Sequence, residues 1–324
     1  MKIAILDDYQ NCVKDLACFP MLAAHEVKIF QHSARGVGQL ASRLAGFDAL
    51  VLIRERTSIT RQLLEKLPNL KLIAQTGKVG SHVDVVAACA QGVCVTEGVG
   101  DPTAPAELTF ALIMAAQRKL LPYAQHLQRG QWQIASDIPQ WNGLGRVLKG
   151  QVLGIWSYGK IGKLLAAYGR VFGMQVLVWG REASRAQAEK DGFQVAASQQ
   201  EFFSQADIVS LHLRLNDATR GIVTAADLAL MKPDALLVNT SRAELIASGA
   251  LLSALQQGRP GFAALDVFEN EPLAQTDPLL RMPNVLATPH IGFVEKSSYE
   301  LYFKYAFQNI LDFAAGAPRN VVTA

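Results

Sequence analysis

The stretch "VLGIWSYGKIG", residues 152–162, decides the fold. Val152–Trp156 is a short apolar run, as expected of a buried strand. A glycine-bearing turn follows, and then the helical pattern "KLLAAYGRVFG". Strand, glycine turn and helix in that order form the phosphate-binding corner of a dinucleotide-binding βαβ unit. In the usual G-x-G-x-x-G spacing the first glycine makes the tight turn, the second admits the pyrophosphate, and the third lets helix and strand pack closely. Here Gly159 and Gly162 hold the second and third places, and Ser157 holds the first. A left-handed Ser costs about 1–2 kcal/mol unless the turn relaxes. Lys160 and Ile161 lie between these two glycines, and the N-terminus of the helix that follows offers free N–H groups to a phosphate.

One strand later the chain reads "VLVWGREASR", residues 176–185. An acid that binds the ribose hydroxyls of NAD is expected at the end of this strand. Gly180 stands there, followed by Arg181 and, four residues on, Arg185. The missing acid removes a charge that would repel a 2′-phosphate. An Arg adds charge-assisted hydrogen bonds of about 1.5–3 kcal/mol, roughly ten- to a hundredfold in affinity. These residues favour NADP over NAD. The alternative leaves Arg181 solvated and puts Glu182 on the ribose.

The same alternation extends in both directions. Upstream, the apolar runs "KIAIL", "EVKIF", "ALVLI", "LKLIAQT" and "VCVTE" alternate with helical stretches. Downstream of Val152 come "MQVLVWG", "DIVSLHL", "ALLVNTS", "FAALDVF" and "NVLATPH", and a final helical stretch begins after Val294. Continuous apolar strands separated by helices indicate parallel sheets covered on both faces. Between the two series, residues 105–130 carry apolar positions at helical spacing over many turns and predict one long helix. The predicted fold is α/β: two Rossmann-like, doubly wound parallel-sheet domains joined by that helix.

Composition narrows the function. The chain has 324 residues, half of them apolar, and a net charge of +3 with no basic run. That length supports two cores, and the charge pattern argues against nucleic acid or a membrane surface as partner. No apolar stretch reaches the roughly 18 residues of a membrane span, and the N-terminus lacks the pattern of a signal peptide. A cytoplasmic protein is expected. Cys12, Cys18, Cys89 and Cys94 show no C-x-x-C spacing and are expected to be buried free thiols. No metal site is expected.

Three downstream strand ends carry polar residues: Arg242 after "LLVNTS", Asp266, Glu269 and Glu271 in "ALDVFENEPL", and His290 in "VLATPHIGF". Ligands of open parallel sheets bind beyond the carboxyl ends of the strands, so these groups are candidates to converge. Taken singly, each has an ordinary structural explanation. Together with "PNLKLIAQTGKVGSHVD", "PAELTFALIM", "LHLRLNDATRGIV" and "MKPDALLVNTSRAELI", they make the chain resemble, along nearly its whole length, the D-isomer-specific 2-hydroxyacid dehydrogenases. That family includes D-3-phosphoglycerate dehydrogenases and glyoxylate/hydroxypyruvate reductases.

The resemblance implies hydride transfer between NAD(P)H and a small 2-keto acid or D-2-hydroxyacid. By it, Arg242 holds the substrate carboxylate with a guanidinium fork. His290 is the acid/base, and Glu271 hydrogen-bonds it. A carboxylate beside a histidine favours the imidazolium and keeps a proton ready for the ketone. Ser157, Gly159, Lys160, Ile161, Gly162, Gly180, Arg181, Leu213, Thr240, Ser241, Asp266 and Gly292 would contact the cofactor. The loop Thr76, Gly77, Lys78, Val79 and Gly80 would offer N–H groups to the substrate carboxylate, and Arg54 a cation for a second anionic group. The resemblance also implies a substrate domain of residues 1–99 plus 291–324, a cofactor domain of residues 100–290, and a homodimer built on the long helix and the loop after it. Several positions depart from the family pattern: Ser157, Gly180–Arg181, Lys78–Val79 and Arg214. Some relatives are cofactor-sensing co-repressors, so an NAD(P)H-sensing protein without turnover is the alternative function.

Overall fold

The structure, a computed structural model, describes residues 1–34 and 36–323. The chain divides into two units, Met1–Asp101 with Val294–Ala324, and Pro102–Phe293.

The smaller unit is built on β1 (Lys2–Ile5), β2 (Glu26–Ile29), β3 (Ala49–Leu52), β4 (Leu72–Gln75) and β5 (Cys94–Thr96), all parallel, in the order β2-β1-β3-β4-β5. Residues of β3 and β4 are buried along their whole length, which is why they read as unbroken apolar runs. The C-terminal helix Lys296–Ala314 packs on β4 and buries Phe303, Phe307 and Ile310.

The larger unit contains β6 (Val152–Trp156), β7 (Gln175–Trp179), β8 (Gln194–Val195), β9 (Ile208–Leu211), β10 (Leu236–Asn239), β11 (Phe262–Leu265) and β12 (Val285–Ala287). They form one parallel sheet in the order β12-β11-β10-β9-β6-β7-β8. Counted from its own first strand, this is the dinucleotide-binding order 3-2-1-4-5-6 with a seventh strand added at the edge. The direction of winding reverses between β6 and β9, so their carboxyl ends open the crevice where this fold takes ligands.

Four features add to or differ from the expectations. First, both sheets are doubly wound as expected, and the smaller one has the order 2-1-3-4-5. Second, residues 105–130 do not form one helix but two, Thr103–Gln117 and Leu120–Gln128, and both lie within the larger unit. The break falls at Lys119, whose φ of +52° is left-handed. A continuous helix would set Pro122 against the carbonyl of Arg118 with no N–H to give it. Restarting at Leu120 puts Pro122 in a first turn, where no N–H is required. Lys119 is held there by Nζ, which donates to the carbonyls of Trp141 and Gly143 at 2.8 and 2.7 Å. Third, β8 was not expected, because two residues leave no periodicity to read. Fourth, all four cysteines are free, but only Cys18 is buried, and Cys89 is exposed.

Candidate active site

The left-handed turn at the glycine loop does not relax. Ser157 has φ +85° and is held in place by its N–H, which donates to the Trp179 carbonyl at 2.8 Å. The same turn brings the Ser157 carbonyl against the following helix, Lys160–Val171. A Cβ on Gly162 would lie 2.3 Å from that oxygen, so only glycine fits. At Gly159 the situation is reversed. It is exposed at the helix N-cap, and a Cβ there would meet nothing closer than 3.9 Å. An open face over the free N–H groups of a helix N-terminus fits a dinucleotide pyrophosphate. Tyr158, between Ser157 and Gly159, is buried and donates its hydroxyl to Asp191 at 2.9 Å. Burial first, and then Asp191, push its phenol up to about 12.

At the end of β7, Gly180 packs on Ser157, with a Cβ position 3.5 Å from the Ser157 Cα. Arg181 is exposed at the N-cap of the helix Glu182–Lys190. Arg185 lies with its guanidinium over the Trp179 ring, 5.1 Å from the centroid, and its buried Nε has no hydrogen-bond partner. Nearer the switch point, the Ser241 hydroxyl donates to the Leu213 carbonyl at 2.7 Å, and Thr240 bonds the Thr109 hydroxyl at 2.7 Å. These contacts fix the exits of β9 and β10 to each other and to the helix Thr103–Gln117. His212, at the same edge, bonds Ser210 Oγ at 2.8 Å, and burial pushes its imidazole down to about 4.

The loop after β12 is organised by one carboxylate. Asp266, fully buried, accepts the Thr288 hydroxyl at 2.6 Å and the Ile291 N–H at 2.9 Å on Oδ1, and the Gly292 N–H at 2.8 Å on Oδ2. Burial raises its carboxyl, and these three bonds and His290 oppose the rise. Both oxygens and the Gly292 N–H are thereby engaged within the protein. Through these bonds Asp266 and Gly292 hold the loop that carries His290. His290 itself is left-handed at φ +52°, a conformation that persists only where the surroundings over-determine it. Its Nδ1 meets Glu271 Oε2 at 2.7 Å. Glu271 Oε1 accepts the Phe268 N–H at 2.9 Å, so the carboxylate is oriented before it meets the ring. With Nδ1 on a carboxylate, Nε2 is the nitrogen left for proton transfer. Arg242 follows β10 at a 3₁₀ N-cap, and its Nη1 donates to the Ser241 carbonyl at 2.6 Å.

The smaller unit carries its own polar edge. Arg54, just past β3, is left-handed at φ +54°. Its N–H donates to Thr76 Oγ1 at 2.9 Å, and its carbonyl accepts from Gln75 Nε2 at 3.0 Å. Its guanidinium lies so close to Gly77 that a Cβ there would fall 1.9 Å from Nη1. The structure thus brings Arg54 and the loop 76–80 together. It also limits what that loop can offer. The Thr76 N–H donates to the Leu52 carbonyl at 3.0 Å, and the Val79 N–H to Glu97 Oε2 at 3.2 Å. Two of the five N–H groups expected to meet a substrate carboxylate are therefore engaged elsewhere. Lys78 is likewise paired with Glu97. Among the described residues no group of three or more His, Cys, Asp or Glu is arranged to hold a metal ion.

A glycine-loop crevice at the switch point of one sheet, with a histidine–carboxylate pair and an arginine at neighbouring strand ends, defines a dinucleotide-dependent oxidoreductase. Residues 110–292 match the NAD binding domain of the D-isomer specific 2-hydroxyacid dehydrogenases. The chain is 36% identical to a glyoxylate reductase from Aeropyrum pernix over 287 residues, covering 87% of this chain and 85% of that one. Among solved structures, an oxidoreductase from Ralstonia solanacearum is 57% identical with a TM-score of 0.96, over 99% of this chain and 96% of that one. A phosphoglycerate oxidoreductase from Vibrio cholerae O395 is also 57% identical, with a TM-score of 0.94, over 98% of this chain and 100% of that one. The chain belongs to the D-isomer specific 2-hydroxyacid dehydrogenase family. It is an oxidoreductase that acts on the CH–OH group of 2-hydroxyacids and uses a nicotinamide dinucleotide.

Proposed function

We propose that this enzyme reduces a small 2-keto acid to the D-2-hydroxyacid, with His290 as the proton donor, Glu271 as its partner and Arg242 as the carboxylate anchor. The observation that carries this is the 2.7 Å His290–Glu271 bond on a loop fixed at three points by Asp266. Nε2 of His290 gives its proton to the ketone oxygen in reduction and takes it back in oxidation. Arg242 suits a carboxylate because its fork matches two oxygens. Arg54, beside Gly77, would be the cation nearest any anionic group of the substrate that reaches the loop 76–80.

When bound, the dinucleotide supplies the hydride acceptor or donor at its nicotinamide. Ser157, Gly159, Lys160, Ile161 and Gly162 would hold its pyrophosphate, Gly180 and Arg181 its adenosine ribose, and Leu213, Thr240 and Ser241 its nicotinamide half. NADP is the preferred form on this account. Support comes from the exposed Arg181, the unpaired Nε of Arg185 and the absence of an acid at Gly180.

A homodimer is supported by the apolar side chains exposed on the second of the two helices and the loop after it: Leu120, Leu121, Leu127, Trp132, Leu144 and Val147. Among the described residues no helix is long and apolar enough to cross a membrane, and the four free cysteines fit a reducing, cytoplasmic setting.

The test is a panel of 2-keto acids assayed by loss of reduced-cofactor absorbance, with NADH and NADPH in parallel. The expected result is turnover on small 2-keto acids with the lower KM for NADPH. Tight cofactor binding without turnover on any of them would favour the sensing protein instead.

A further inference from the structure

Glu97 stands at the exit of β5 with its backbone fixed on both sides. Its N–H donates to the Asn320 carbonyl at 3.0 Å, and its carbonyl accepts from Asn309 Nδ2 at 3.1 Å. Asn309 is fully buried on the helix Lys296–Ala314 and also accepts from Asn320 Nδ2 at 2.9 Å. From that anchored position the side chain reaches the loop 76–80. One carboxylate oxygen takes Lys78 Nζ and the other takes the Val79 N–H. The loop therefore already holds a carboxylate, one that belongs to the protein.

This ion pair has little to do with holding the fold together. The Lys78 side chain is 67% exposed, and pairs at such positions contribute little to stability. Its consequence is electrostatic. Among the described residues, four charged side chains are seen at the loop: Arg54 against Gly77, Lys78, Glu97, and Glu55, whose Oε1 lies 3.2 Å from a Cβ position on Gly80. Two cations are matched by two carboxylates. An edge with balanced charge admits a substrate with a single anionic group and offers little extra attraction to one with two.

We propose that Glu97 is a specificity-determining residue: by holding Lys78 and the Val79 N–H, it disfavours 2-keto acids that carry a second anionic group. This rests on the proposal that the loop 76–80 meets the substrate.

The experiment compares kcat/KM for hydroxypyruvate and 3-phosphohydroxypyruvate, which differ only by the phosphate. Glu97→Gln leaves Lys78 with an uncompensated charge. The expected result is that the phosphorylated-to-unphosphorylated ratio rises about tenfold, the low end of what one charge-assisted hydrogen bond gives. Glu97→Asp should keep the ratio near that of the parent, and Lys78→Met combined with Glu97→Gln should return it there. A ratio within twofold of the parent in Glu97→Gln, or equal gains for both substrates, would overturn the proposal. Gly77→Ala separates this from the premise, because its Cβ would displace Arg54 from the loop. No change in KM for either substrate in Gly77→Ala would mean that the loop does not meet the substrate at all. A change there with an unmoved ratio in Glu97→Gln would defeat the role of Glu97 alone.

Discussion

The carboxyl edges of the two sheets use carboxylates in opposite ways. In the larger unit, Asp266 is buried and gathers three donors from the loop Thr288–Gly292, and Glu271 is fixed by one backbone N–H and turned toward His290. In the smaller unit, Glu97 is partly exposed and engages a lysine and an N–H that an anionic ligand would otherwise use. A buried carboxylate with several donors builds geometry, because leaving any of those donors unpaired is costly. A partly exposed carboxylate in an ion pair changes little in the fold and mainly alters the charge a ligand meets. On the proposed function, preorganisation for chemistry would belong to the larger unit, and selection among anions to the smaller.

Arg242→Ala offers the largest way to break that division. It removes the proposed carboxylate anchor from the larger unit and should lower kcat/KM for every keto acid by about a hundred- to a thousandfold. Steady-state kinetics across the panel checks this, and Arg242→Lys should recover little of the loss, since an ammonium has no fork. A modest loss confined to phosphorylated substrates would move the anchor to the smaller unit. At the cofactor end, Arg181→Ala should weaken NADPH about tenfold while leaving NADH nearly unchanged, as read by titration of cofactor fluorescence. Equal weakening of both would remove Arg181 from the 2′-phosphate.

Much of this architecture was legible in the sequence, because buried parallel strands leave continuous apolar runs and strand ends carry their polar residues in order. The glycine loop was legible for a related reason. Gly162 is forced by the Ser157 carbonyl, and such close approaches leave a fixed spacing. What stayed hidden depends on contacts between residues distant in the chain. The role of Asp266 lies in donors more than twenty residues downstream. That of Glu97 requires the exits of β4 and β5 to be side by side. The break at Lys119 was hidden for a different reason: the apolar spacing continues across it, and the left-handed residue is not a glycine.

The smallest expected effect concerns Ser157. Its left-handed conformation costs about 1–2 kcal/mol, part of which a glycine returns through the greater freedom of the unfolded chain. Ser157→Gly should therefore stabilise the protein by about 1 kcal/mol or less in denaturant unfolding followed at the larger unit. A loss of stability would show that the hydroxyl makes a contribution greater than the strain.

The central claim, that the larger unit carries a preorganised proton donor at His290, is tested most directly by His290→Ala. Single-turnover oxidation of the bound reduced cofactor by a good keto acid should slow by about a hundred- to ten-thousandfold, the usual range for a general acid. The dissociation constant of the cofactor, measured on the same sample, should stay within twofold. Near-normal turnover in that variant would contradict the account.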